Sequence, residues 1–561
     1  MRETLLLSLP LLFLILFFYF PLASVLVEGF TGEDGRATLT NFSSLFRSPY
    51  YRRIIGFTIF QAVLSTLFSL GLALPGAYLM SHYRFPGKRI INAVTTVPFV
   101  LPSILVVLGF VLLFGNNGLI NRTIMAIFDL EEPPLRILYS LKAIILAHGF
   151  YNFPIFLRII SGVWQNVSEH TVAAAKSLGG KGLRLFFTIT LPQILPGILA
   201  GGILVFLFCF LSFAVILVLG GGPQYTTMEV EIFRLAKFSL DFSEASALAV
   251  IQLIISVTFL FSYLKLQSKT AFQEKRSGFA EGLFLRPLGS IRRGWSKSFL
   301  WVYITMIFIL IIMPLFTVVG FSFLKKTGWS GAPKLSLHWY WSIFSGGGSG
   351  TGLFAQESLR AVINTVWLAA VTTVTAVPLG VFFSFISQRT TLFKRRFGET
   401  VVMLPMGISS IMLGLGYIRA VHLSGIESGS WLLIIFAHII ISYPFVIRSV
   451  DSVYGKIERS LLEASRSLGA NGWRLFRTIE LPLIKAGIIT GAAFAFAISV
   501  GEINATLLLA PRNIATIPIT MYRLISAYNF SGACALGSIL MTVCITAFLV
   551  IEGLGNRNGG V

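Results

Sequence analysis

The sequence predicts an all-α polytopic membrane protein of about 12 transmembrane helices, built as two tandem six-helix repeats of the same orientation. Three observations predict it. Hydrophobic residues fill 55% of the 561 positions and charged residues only 12%, about half the charged share of soluble domains. Apolar runs of about 20 residues recur, each long enough to cross a ~30 Å hydrocarbon core. A polar segment with fixed glycine, arginine and proline positions also returns 290 residues after its first appearance.

In chain order the first half offers apolar spans at 5–27, 54–80, 91–114, 141–157, 194–219 and 246–264. The second offers 299–324, 358–386, 400–421, 431–447, 486–509 and 533–551. Arg2 and the small pair Ala23-Ser24 give the first span the flavour of a secretory signal. Its apolar stretch is too long for one, so an uncleaved span is expected. Pro75 and Pro378 fall inside the second and eighth spans, where a missing N–H kinks a helix. The fifth and eleventh open on Gly197-x-x-x-Gly201 and Gly487-x-x-x-Gly491, small residues that permit close helix approach. Those two spans are expected near a pseudo-twofold axis.

Net charge is +21, which in a soluble chain would suggest nucleic acid. Placing both termini in the cytosol puts 28 of the 44 Lys and Arg on the inner side and 13 outside, the bias expected of cytoplasmic loops. The charges therefore report topology, and no nucleic-acid partner is expected; the partner they face is the lipid bilayer. Cys209, Cys534 and Cys544 all lie in apolar segments with no disulfide or metal-ligand spacing. Six scattered histidines offer no catalytic constellation either. His148 and His438, related by the repeat, are expected to hydrogen-bond within the bundle.

The repeat carries the functional signal. With Gly179 set on Gly469, residues 174–198 match 464–488 at 15 of 25 positions. The same offset pairs Ala147-His148 with Ala437-His438 and Arg158 with Arg448. Pro98, Ser103 and Gly109 find Pro405, Ser410 and Gly416 at an offset of 307. The halves are thus 1–264, with its loop near 169–193, and 299–561, with its loop near 458–483. A basic cytoplasmic linker at 265–298 joins them. Structural repetition alone would preserve apolar character; it would not preserve Gly, Arg and Leu-Pro in a polar loop. Gly179 and Gly469 suit a helix C-terminus in the left-handed conformation. Leu191-Pro192 and Leu481-Pro482 are expected to end a short amphipathic stretch and start the next span. Gly179-Gly180-Lys181 looks phosphate-like, but Gly182 stands where a P-loop needs Ser or Thr. The chain is therefore not expected to hydrolyse ATP itself or to bind a cofactor or metal.

Ala173-Ala174-Ala175…Gly179…Ile189-x-Leu191-Pro192 and Glu463-Ala464-Ser465…Gly469…Ile479-x-Leu481-Pro482 strongly resemble the EAA motif of importer-type ABC transporter permeases. The resemblance covers nearly the whole chain. It implies that both loops are coupling helices docking on two copies of a cytosolic ABC ATPase, which consumes the ATP. It also implies an extracytoplasmic substrate-binding protein and the bacterial inner membrane. Ala173 stands where the family has Glu, so the two contacts are expected to be unequal.

Fused permeases of this length resemble those of thiamine and ferric-iron importers. Gly220-Gly221-Gly222-Pro223, Thr226-Thr227-Met228-Glu229-Val230 and Ala247-Leu248-Ala249-Val250-Ile251-Gln252 lean toward thiamine, with ferric iron as the alternative. A cation needs acidic groups on its route. Glu229 and Glu231, in an acidic outer loop, and Glu502, inside the eleventh span, are the pathway candidates. Glu502 alone could equally be held by a polar neighbour such as Asn504 at a helix break. An ion-coupled secondary transporter is the rival from another class, and it would need more intramembrane carboxylates than Glu502.

Overall fold

Long apolar helices dominate the computed structural model, which describes residues 10–32, 34–95, 101–167, 169–276, 286–287, 294–325, 334–345, 352–389, 401–424, 430–455, 457–511 and 514–556. The first half contains α1 (Pro10–Gly29), α2 (Pro49–His82), α3 (Ser103–Phe114), α4 (Leu119–Phe128), α5 (Leu141–Gln165), α6 (Glu169–Ser177), α7 (Gly182–Phe210), α8 (Ala214–Leu219), α9 (Met228–Arg234) and α10 (Phe242–Arg276). The second contains α11 (Gly294–Ser322), α12 (Gly352–Arg389), α13 (Ser410–Ser424), α14 (Trp431–Tyr454), α15 (Arg459–Ser467), α16 (Gly472–Gly501), α17 (Asn504–Leu509), α18 (Ile517–Ser526) and α19 (Phe530–Asn556). Eleven of the described helices, counting α3 and α4 together, are long and apolar enough to cross a membrane. A twelfth appears if Val401–Gly407 and Ser410–His422, bent by 110°, form one span.

Four of the expected spans are broken rather than continuous. In the stretch 91–114 the described residues give a short helix, Lys88–Val94, that ends in a turn at Thr95, and α3, which starts after Pro102; 96–100 lie outside the described residues. The stretch 400–421 breaks at 408–409, after Pro405. These prolines cannot donate to the helical ladder, so a break costs less there than elsewhere. The fifth span stops at Phe210 and resumes as α8, and the eleventh stops at Gly501 and resumes as α17. Pro75 and Pro378, by contrast, sit inside helices that continue past them.

The two repeats exchange their first spans. The N-terminal span α1 packs on α10 of its own half and on α13 of the other; α11 likewise packs on α19 and on α3. The crossings are matched in atomic detail. A Cβ on Gly109 would lie 2.8 Å from the carbonyl oxygen of Pro314, and one on Gly416 would lie 2.6 Å from that of Pro21. Glycine is required at both because backbone meets backbone. One apolar core therefore joins Leu300–Val318 to the first half, and another joins Leu14 and Phe18 to the second.

The Gly-x-x-x-Gly pairs do not meet at a two-fold axis. A Cβ on Gly197 would press on Val163, and one on Gly491 on Val446. Each pair seats its helix on the preceding long helix of the same half, α5 or α14, because that is where side chains leave least room. Of the linker, 277–285 and 288–293 lie outside the described residues; Arg286–Pro287 pairs in parallel with Tyr83–Arg84.

Candidate functional sites: two exposed loops and a buried seam

Both duplicated loops have one architecture. Two residues beyond the ends of α6 and α15 stands a left-handed glycine, with φ +88° at Gly179 and +85° at Gly469. Gly180 N–H reaches back to Ala175 O at 2.9 Å, and Ala470 N–H to Ser465 O at 3.1 Å. This bonding closes the orphan carbonyls of the last turn. A Cβ on either glycine would meet nothing within 4 Å, so only the backbone angle demands glycine there. Beyond it, Asn471 caps the next turn through Arg474 N–H at 2.8 Å. Lys181 at the matching position gives no side-chain cap.

Leu-Pro does not end the stretch as expected. Phe186–Thr190 and Phe476–Glu480 form single π-turns, and each chain runs on unbroken to Phe210 or Gly501. The wider turn removes the clash of each proline ring with the carbonyl four residues back, and the helix survives. Thr188 and Thr478 hydroxyls bond the carbonyls of Arg184 and Arg474, both at 2.6 Å. Each loop is thus rigidly continuous with a long helix.

Of the expected coupling residues, Ala173, Ala174, Glu463 and Ala464 are exposed, as are Pro192 and Pro482; Leu191 and Leu481 are half-buried. Glu463 lies in the middle of α15. Leucines at 178 and 468 are each 89% exposed, and Leu183 and Trp473, also repeat partners, are 75% and 69% exposed. Matched apolar side chains held out of the fold by rigid backbone are what a docking surface needs.

At the opposite end of the bundle the acidic candidates are buried, not displayed on a loop. Glu231 is bound bidentately by Arg234 (Nε 3.0 Å, Nη2 2.5 Å) and takes the Tyr50 hydroxyl at 3.0 Å. Tyr50 and Arg234 line a cleft of about 430 Å³ together with Pro223, Tyr225, Phe233 and Tyr522. Glu502 sits in the break before α17 and accepts the N–H groups of Ala505 and Thr506, each at 3.0 Å, and the Thr506 hydroxyl at 2.8 Å. It is held by the N–H groups of that helix start, the backbone of Asn504 among them. His438 donates to or accepts from Ser499 and Thr506, each at 2.8 Å; His148 pairs with Ser65 at 3.0 Å.

Glu229 joins the halves. Its carboxylate accepts Gln252 Nε2 at 2.5 Å and the hydroxyl of Ser409, from the second half, at 2.7 Å. Two further cationic side chains bond across the same seam. Lys237 Nζ donates to Leu508 O at 3.0 Å and Ala510 O at 3.4 Å; burial, with Arg523 nearby, pulls its ammonium below the ordinary lysine range. Arg419 of α13 pairs with Glu28 of α1, which also accepts Ser243 Oγ at 3.2 Å. Ser409, Gln252, Lys237 and Arg419 escaped the sequence reading as site residues. Only the doubled serine at 409–410, a helix-start signal, could have marked one of them.

A family model described as the binding-protein-dependent transport system inner membrane component matches residues 69–269 and again 348–557. Several relatives bear the description thiamine transport system permease protein. That of Salmonella typhimurium is 25% identical over 532 residues, covering 92% of this chain and 91% of its own length. That of Brucella suis is 27% identical over 546 residues, covering 95% and 91%. That of Escherichia coli is 23% identical over 552 residues, covering 95% of both.

Proposed function

Since the chain belongs to the family of binding-protein-dependent transport system inner membrane components, we propose that it forms the whole membrane pathway of an ATP-driven importer whose substrate is thiamine. The observation that carries the reading is the pair of matched, exposed loops, each continuous with a long helix that ends at a break. A partner ATPase docks on each loop in the cytosol, and a binding protein delivers substrate at the opposite end. The helices 182–210 and 472–501 act as levers: about 45 Å long at 1.5 Å per residue, they carry loop movement to the breaks at 211–213 and 502–503. Nucleotide-driven approach of the two loops then shifts a two-state equilibrium between cavities open to either side. Thiamine is supported by relatives of that description aligned over more than nine-tenths of the chain.

The test is uptake by vesicles holding the chain, its ATPase and its binding protein. Labelled thiamine should accumulate only with ATP on the loop side, and excess unlabelled thiamine, not ferric iron, should compete. Accumulation of iron in its place would overturn the substrate reading.

A further inference from the structure

The Glu229 seam holds more than a structural contact. Glu229 is 1% exposed and Gln252 2%. No cationic side chain among the described residues pairs with the carboxylate; both of its partners are neutral. Ser409 Oγ also accepts the N–H groups of Ile411 at 3.1 Å and Met412 at 3.2 Å. A hydroxyl has one donor and two acceptor sites, so Ser409 is fully used, and its one proton goes to Glu229. The negative charge is thereby referred to the N-terminus of α13, a 15-residue helix of the other half. The amide oxygen of Gln252, on the group that bonds the carboxylate, is buried and has no hydrogen-bond partner, nor has the buried hydroxyl of Thr227, two residues before Glu229 in the chain. An unmet amide oxygen on the group that bonds a buried carboxylate sets two acceptors close together, one of them lacking a donor. The repeat-related positions differ: Pro102 stands 307 residues before Ser409, and Pro518 stands 289 after Glu229, the offset that also sets Thr227 on Thr516 and Arg234 on Arg523.

We propose that Glu229, with Gln252, is a two-state cation site: clamped by Ser409 and the α13 N-terminus while the seam is shut, and released to a positively charged substrate when the halves part there. The proposal rests on the importer reading and specifies how that importer handles a cationic cargo. Separation of the halves strips Ser409 from the carboxylate and leaves a charge without a donor, which is costly in a low-dielectric seam. A cargo cation offsets that cost, so opening and loading favour one another.

The reconstituted importer tests this with labelled thiamine as the probe. Glu229→Gln should lose at least tenfold in uptake, and Glu229→Asp, which keeps the charge, should recover most of it. Ser409→Ala should raise ATP hydrolysis in the absence of substrate severalfold, because the clamp is weaker. Wild-type uptake by Glu229→Gln, or equal loss in the Asp variant, would overturn the site. Where Glu229→Gln does not fold, Gln252→Leu decides, with a severalfold uptake loss expected and none contradicting. Failure of the unmodified chain to import thiamine would instead sink the substrate reading, and the clamp is then read on the purified chain alone. There Ser409→Ala should lower the melting temperature more in the native background than with Glu229→Ala, since the lost helix cap is common to both; an equal drop in both would dismiss the clamp.

Discussion

Single residues set the loops. Gly469 adopts φ +85° with open space around it, so a side chain there costs only the left-handed backbone, roughly 1–2 kcal/mol. Gly469→Val should therefore distort one turn, sparing the bundle, and cut ATPase co-purification sharply; Gly469→Asn, which tolerates that region better, should restore most of it. Normal co-purification with Val would remove the elbow from the account. Glu463 is exposed where the first loop has Ala173. If that carboxylate receives a charged hydrogen bond of about 1.5–3 kcal/mol from the ATPase, Glu463→Ala should weaken assembly while Ala173→Glu partly rescues it. Co-purification of both singles and the double, side by side, decides it, and indifference to Glu463→Ala contradicts the role. The glycine angle was legible because few residues tolerate that conformation. The Glu229–Ser409 contact was not: it joins positions 180 apart in sequence, and nothing local marks it.

Helices carry the second level. Apolar length alone located the spans, since a bilayer admits few alternatives. It could not show the breaks at 211–213 and 502–503, because the sequence there stays apolar while the backbone leaves the helix. Nor could it show that Pro192 and Pro482 sit beyond π-turns. The exchanged crossings give the sharpest expectation at this scale. Gly416→Leu places atoms inside the backbone of Pro21 and should destabilise by about 1–3 kcal/mol or more. Gly71, around which a Cβ would meet nothing, serves as the control. Thermal melting in detergent should separate the two variants by several degrees; equal melting would mean α1 does not rest on α13.

For the molecule as a whole, the repeat is the informative unit. Two halves running in one direction, with first spans exchanged and loops matched, interlock in one chain. The halves differ where function would make them differ: Glu463 against Ala173 at the loops, and one Glu229 seam rather than two. Sequence comparison between halves exposed the first difference; only packing exposed the second. The central claim is that both loops dock an ATPase. Its most direct measurement is the mass of the purified native complex, with the chain unaltered and with Gly469→Val. The account expects one chain carrying two ATPase copies, falling to one copy when the second loop is altered. A complex with a single copy in the unaltered state, or two copies retained by Gly469→Val, would contradict it.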